Sequence, residues 1–123
     1  MSSDDAGMAD AGCLFCRIVS RQLKADIVAE TGELVAIKDV NPQAPTHLLI
    51  IPKEHIPTLA DATDGHTALL GQALQLANRL AREHQLTQGG YRVVVNTGAQ
   101  AGQSVLHLHV HLLGGRPFRW PPG

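Results

Sequence analysis

The chain has 123 residues, with 10 Lys+Arg against 11 Asp+Glu, seven histidines, one Trp, one Tyr and two Phe. That length fits one compact core, and the near balance of charge excludes the broad basic footprint of a nucleic-acid binder. No stretch approaches the roughly 20 apolar residues of a membrane span, and the N-terminus lacks the basic-then-apolar pattern of a signal peptide, so the expected partners include neither nucleic acid nor membrane and the expected location is the cytoplasm.

Residues 1–11 are small, polar and acidic, which predicts a disordered leader ahead of one domain over 12–123. Cys13-Leu-Phe-Cys16 holds both cysteines, and in a reducing compartment such a pair reads as a metal or redox element. From Leu14 to Gln22 the apolar residues Leu14, Phe15, Ile18 and Val19 fall at helical spacing. Strands are predicted over Asp26–Glu30 and Leu34–Asp39, joined by the hairpin link Thr31-Gly32-Glu33. The polar segment from Asn41 to Pro45 breaks the sheet. The continuous apolar run from His47 to Pro52 then predicts a strand covered on both faces.

Between Asp64 and Leu86, the residues Leu69, Ala73, Leu76, Ala77 and Leu80 recur three and four apart opposite Gln72, Gln75, Arg79 and Arg82, the pattern of an amphipathic helix. Asp64 is its expected N-cap and Gly89-Gly90 its expected stop. A strand over Tyr91–Asn96, a Gly-rich loop over Thr97–Ser104 and a final strand over Val105–Leu113 complete the order. Two hairpin strands, a third strand, a long helix and two more strands imply an α+β domain with a mostly antiparallel sheet.

The run His107-Leu108-His109-Val110-His111 draws the chemistry to one place. On a strand, His107, His109 and His111 share a face while Leu108, Val110 and Leu112 point into the core. Such a row can ligate a metal, or it can present one imidazole as a nucleophile with its neighbours as proton partners. The loop just before it, from Asn96 through Gly102, Gln103 and Ser104, offers backbone amides to an anion, which favours phosphoryl chemistry. Imidazole suits attack on phosphorus because its neutral form is abundant at pH 7 and the phosphoryl-imidazole is labile. The phosphoryl oxygens would then need donors, which the amides of 102–104, Ser104 and His111 can supply.

These residues carry a resemblance. His107-Leu-His-Val-His-Leu-Leu113 matches the histidine-triad pattern, and Gly102-Gln-Ser-Val lies just ahead of it. Asp39-Val-Asn-Pro-Gln-Ala-Pro-Thr-His47, Ile51-Pro-Lys-Glu-His55, Leu113-Gly-Gly-Arg and Trp120-Pro-Pro-Gly123 match further motifs in order. From Phe15 to Gly123 the sequence resembles the nucleotide-binding (HINT) branch of the histidine-triad (HIT) superfamily, the purine nucleoside phosphoramidases. The resemblance implies an α+β fold with a five-stranded antiparallel sheet, one long helix and a short N-terminal helix. It also implies a homodimer in which two sheets join into a continuous ten-stranded one.

What the resemblance implies for function is hydrolysis of purine nucleoside 5′-phosphoramidates such as adenosine phosphoramidate, releasing AMP or GMP, with no cofactor in the chemistry. His109 takes the place of the nucleophile, with His47 and His107 as its relay. His111, Asn96, Gly102, Gln103 and Ser104 take the places around the phosphate and leaving group. Asp39 falls where the ribose hydroxyls are bound, and Phe15, Ile18, Ile37, Val40 and Leu49 where the purine is held. In some superfamily members a structural zinc is bound at the positions of Cys13, Cys16, His55 and His107, and two thiolates with two imidazoles form a closed tetrahedral set. The alternatives are a nucleotide-binding adaptor with incidental hydrolysis, a zinc hydrolase using the triad as ligands, and a dinucleoside polyphosphate hydrolase.

Overall fold

The structure, a computed structural model, describes Asp10 and residues 12–123. The expected disordered leader over 1–11 therefore lies, Asp10 apart, outside the described residues. Helix α1 (Leu14–Val19) is followed by strands β1 (Ile27–Glu30), β2 (Leu34–Lys38) and β3 (Thr46–Pro52), helix α2 (Thr67–Glu83), and strands β4 (Tyr91–Val94) and β5 (Val110–Gly114). The five strands form one antiparallel sheet in the order β1-β2-β3-β5-β4.

The sheet separates two apolar cores, and the period-2 alternation of its strands assigns residues to each. Leu34, Ala36, Leu48, Ile50, Val110 and Leu112 face α2 and pack on its Ala73, Leu76, Ala77, Leu80 and Ala81. Val35, Ile37, Leu49 and Ile51 face the other way, onto Cys13, Phe15, Cys16 and Ile18 of the α1 region. β3 is thus covered on both faces, as its continuous apolar run predicts. Helix α1 is only six residues long, so it covers part of its side of the sheet and leaves a cavity beside it.

Four boundaries differ from expectation for a local reason. Helix α1 stops at Val19, not Gln22, because Arg21 takes a left-handed φ of 68°, and the amides of Arg21 and Gln22 return to the carbonyls of Ile18 and Arg17. α2 ends the same way before Gly89-Gly90: Gln85 has φ 60°, and the amides of Gln85 and Leu86 return to Arg82 and Ala81. At its other end α2 begins at Thr67. Asp64–His66 forms a 3-10 turn capped by Thr63, whose hydroxyl accepts from the Gly65 amide, so Asp64 is not the N-cap.

The fourth lies in the histidine run. β5 begins at Val110, five residues later than expected, because its partner β3 runs out: Ile50 pairs with Val110, and β3 ends at Pro52, which has no N–H to donate. Residues 105–109 enter the sheet off the ladder, bent at 105–107, where the His107 amide returns to the Val105 oxygen. At the far end, Gly115 takes a φ of 94°, and a Cβ there would stand 2.9 Å from that of Pro45. Only glycine lets the β5 exit pack this closely on the turn before β3.

Candidate active site

His109 is 7 % exposed, and its Nδ1 lies 2.7 Å from the backbone oxygen of His107. A carbonyl only accepts, so Nδ1 carries the proton and the lone pair resides on Nε2. The Phe15 ring meets the imidazole edge to face, with centroids 5.0 Å apart at 81°. Ring orientation and tautomer are both held before any ligand arrives.

His111 is fixed in the same way, through His47. The Gln43 amide donates to His47 Nδ1 at 3.0 Å, so the proton of neutral His47 sits on Nε2. That atom is 2.9 Å from His111 Nδ1 and 3.4 Å from Asp39 Oδ2. His111 Nδ1 therefore accepts, and its own proton is on Nε2. Burial pushes His111 down to about 4, and burial also lowers His47 against the pull of Asp39. Both rings are neutral at pH 7. Asp39, His47 and His111 converge closely enough to suggest a cation site, but this proton chain already uses the His47 and His111 nitrogens that would face the ion.

His109 and His111 open into a cavity of about 400 Å³ beside α1. The sequence-predicted residues Phe15, Ile18, Ile37, Asp39, Val40, Leu49 and Ser104 line it with them, together with Leu14, Leu23, Lys24, Ala25, Lys38 and Val105, which the sequence reading did not single out. Val40 is 99 % exposed and forms a rim, not a slot wall. The two lysines carried no signal, being ordinary solvated residues by pattern. Asn96, Gly102 and Gln103 do not line the cavity. Asn96 lies two residues beyond Val94, which pairs with His111.

The loop before the histidine run is braced from within. Gly98 and Gly102 have φ of 86° and 88°, which glycine adopts freely. The Gln103 side chain accepts from the Gly98 amide at 2.9 Å and donates to the oxygens of Pro57 at 2.8 Å and Val105 at 3.0 Å. Its amide group is thus spent on shaping the loop, a correction to its expected place among the phosphate ligands. The expected relay also divides differently. His47 bonds to His111, and His107 meets His109 through its carbonyl while its ring turns toward the cysteines.

Cys13 Sγ, Cys16 Sγ, His55 Nδ1 and His107 Nδ1 all lie within 4.8 Å of one another. His107 Nε2 stands 2.7 Å from the Pro52 oxygen, so Nε2 donates and Nδ1 points its lone pair into the cluster, 3.3 Å from Cys13 Sγ and 3.2 Å from His55 Nδ1. Burial pushes the Cys16 thiol up to about 11 and His107 down to about 4. Lone pairs and thiols packed together, with one imidazole fixed in the ligating tautomer by a carbonyl on its far side, match the donor set and outer support that a tetrahedral zinc ion requires. These four residues fit that ion.

The HIT domain family matches residues 20–118, and the chain belongs to that family. It is 51 % identical over 110 residues to an uncharacterised HIT-like protein of Synechococcus elongatus, covering 89 % of this chain and 96 % of that protein. It is 45 % identical over 116 residues to a 14 kDa zinc-binding protein of Zea mays, covering 93 % and 90 %. The crystal structure of a HIT family hydrolase from Legionella pneumophila superposes with a TM-score of 0.90 at 48 % identity, covering 91 % of this chain and all of the other.

Proposed function

We propose that the chain hydrolyses purine nucleoside 5′-phosphoramidates through a nucleotidyl-histidine intermediate on His109. The observation that carries this reading is the 2.7 Å bond from His109 Nδ1 to the His107 carbonyl, which leaves an Nε2 lone pair at a cavity with an apolar wall. Nε2 attacks the α-phosphorus, the P–N bond breaks, and the amine leaves after gaining a proton. Water then attacks the same phosphorus and releases AMP or GMP, returning His109 to its starting tautomer. His111 Nε2–H and Ser104 are the donors for phosphoryl oxygens and leaving group, since the Gly102 and Gln103 amides donate to Ala99 and Gly98 within the loop. Asp39 would hold the ribose hydroxyls, with Phe15, Ile18, Ile37 and Leu49 against the purine.

The kinship with a HIT family hydrolase supports hydrolysis, and the Cys13/Cys16/His55/His107 donor set with the kinship to a zinc-binding protein supports a structural zinc. In this reading zinc stabilises the chain and takes no part in the displacement. The outer edge of β4 is open in the strand order, which suits pairing with a second copy into a ten-stranded sheet. Among the described residues no helix is long and apolar enough to cross a membrane. A cytoplasmic homodimer is the proposed form.

The test is turnover of adenosine 5′-phosphoramidate by the wild type and by His109→Ala, each with and without a zinc chelator. The expected result is nucleotide binding by both and turnover by the wild type only, including after chelation at a temperature where the fold persists. Near-normal turnover by His109→Ala would remove His109 as nucleophile, and no turnover by the wild type would leave nucleotide binding as the function.

A further inference from the structure

Arg116 lies on the tail beyond β5, and its Nε donates to the backbone oxygen of Gln43 at 2.9 Å. Its Nη1 donates to the Pro117 oxygen at 2.9 Å, and the guanidinium sits 4.4 Å from the centre of the Phe118 ring. Among the described residues Arg116 has no carboxylate within 4.0 Å, so its charge is spent on carbonyl groups and an aromatic face. A charged donor makes the stronger kind of hydrogen bond.

Gln43 is the residue whose amide fixes the His47 tautomer. The contacts from tail to cavity pass through the Gln43 backbone: Arg116 Nε–H to the Gln43 oxygen, on the other side of its Cα Gln43 N–H to His47 Nδ1, and then His47 Nε2–H to His111 Nδ1. His111 Nε2–H is the open end. The rest of the turn is held by Asp39, whose carboxylate accepts the Asn41 amide, by the Gln43 side chain, whose Nε2 donates to the Asn41 oxygen at 3.0 Å, and by Pro45 packed on Gly115. None of these contacts engages the Gln43 carbonyl. Gln43 is itself exposed, so without Arg116 that oxygen would bond to water and the turn would lose its anchor on the tail.

We propose that Arg116 is a positioning residue: by anchoring Gln43 it holds His47 and His111 in the tautomers that aim the His111 Nε2–H into the active-site cavity. The inference rests on the proposed phosphoramidase reading only for its kinetic consequence. The tautomers themselves can be read without any substrate. An arginine is required because Nε and Nη1 serve two oxygens at a fixed angle, which a single ammonium cannot reproduce.

The experiment compares Arg116→Ala, Arg116→Lys and Arg92→Ala with the wild type. Arg92 is the control, since it also touches Phe118 and bonds the tail at the Arg119 oxygen but does not reach Gln43. Long-range ¹H–¹⁵N spectra of the imidazoles give the tautomers, and steady-state kinetics on adenosine phosphoramidate give kcat and KM. In Arg116→Ala, His47 and His111 are expected to become tautomeric mixtures, with kcat down about tenfold and KM within about twofold, as suits a donor misplaced in the transition state. Arg116→Lys should restore part of both, and Arg92→Ala should match the wild type. Wild-type spectra in Arg116→Ala would overturn the proposal, as would equal impairment of Arg92→Ala, which would reduce Arg116 to tail packing. Should Arg116→Ala fail to fold, the same spectra of Arg116→Gln decide, mixed tautomers supporting the proposal and wild-type spectra overturning it. If the wild type hydrolyses no phosphoramidate, the functional reading falls while the spectra still decide the role of Arg116.

Discussion

Adding zinc to metal-free protein near pH 7 should release about two protons per chain. A thiol enters a zinc site as thiolate, so Cys13 and Cys16 give up one proton each. Burial holds the Cys16 thiol up at about 11, so without the ion its proton is still in place. His107, pushed down to about 4 by burial, is already neutral and releases none. The count comes from titrating zinc calorimetrically in buffers of different ionisation enthalpy, where the slope of observed heat against buffer heat is the number released. Binding to the folded chain alone also stabilises it by about 2.7 kcal/mol at a hundredfold excess over Kd. Over 123 residues, an unfolding entropy of about 2.1 cal/mol/K per residue converts that to about 10 °C in Tm. Cys16→Ser should lose most of that rise. A slope near zero, or an equal rise in Cys16→Ser, would refute the four-residue site.

Two further expectations concern stability. His111 and His107 are neutral in the fold down to about 4, whereas an unfolded imidazole protonates near 6.5. Between those values the unfolded chain binds more protons. The stability of the metal-free protein should be full above about pH 6.5 and fall as pH drops toward about 4; urea midpoints across that window check it, and a flat profile would contradict it. Phe15, 4 % exposed and packed on the rings of His107 and His109, should cost about 3–5 kcal/mol on replacement by Ala, by loss of burial and an unfilled cavity. Urea unfolding measures this, and a loss under about 1 kcal/mol would mean that the ring does not support the histidines.

The parts of the fold legible in the sequence are those written in a repeating pattern. The unbroken apolar run of β3 announces a strand buried on both sides, and the three-and-four spacing of Ala73, Leu76, Ala77 and Leu80 announces the face of α2. Both helix ends were misplaced because their left-handed residues, Arg21 and Gln85, are not glycines, and what holds them there is a pair of returning amide bonds that no single residue type announces. The start of β5 is a property of β3, since the ladder cannot continue past Pro52. Within the site, the residue types were legible and their pairings were not. Gln103 reads as a loop donor beside a histidine row, yet its partners are Pro57 and Val105. The bond from Arg116 to Gln43 spans 73 positions and has no local signature.

The early end of the ladder is what allows His107 to serve two sites at once. Inside a regular sheet its carbonyl would be directed at a neighbouring strand, as ladder carbonyls are. Off the ladder, that oxygen is free to accept from the ring two residues on, and it fixes the lone pair of His109 on Nε2. The ring of the same residue is held by the Pro52 oxygen where β3 leaves off, and so turns its other nitrogen to Cys13, Cys16 and His55. The proline that ends the strand thus supplies both the gap in the ladder and the acceptor that orients the ring. An ion held by the four residues would bear on His109 only through the position of the His107 backbone.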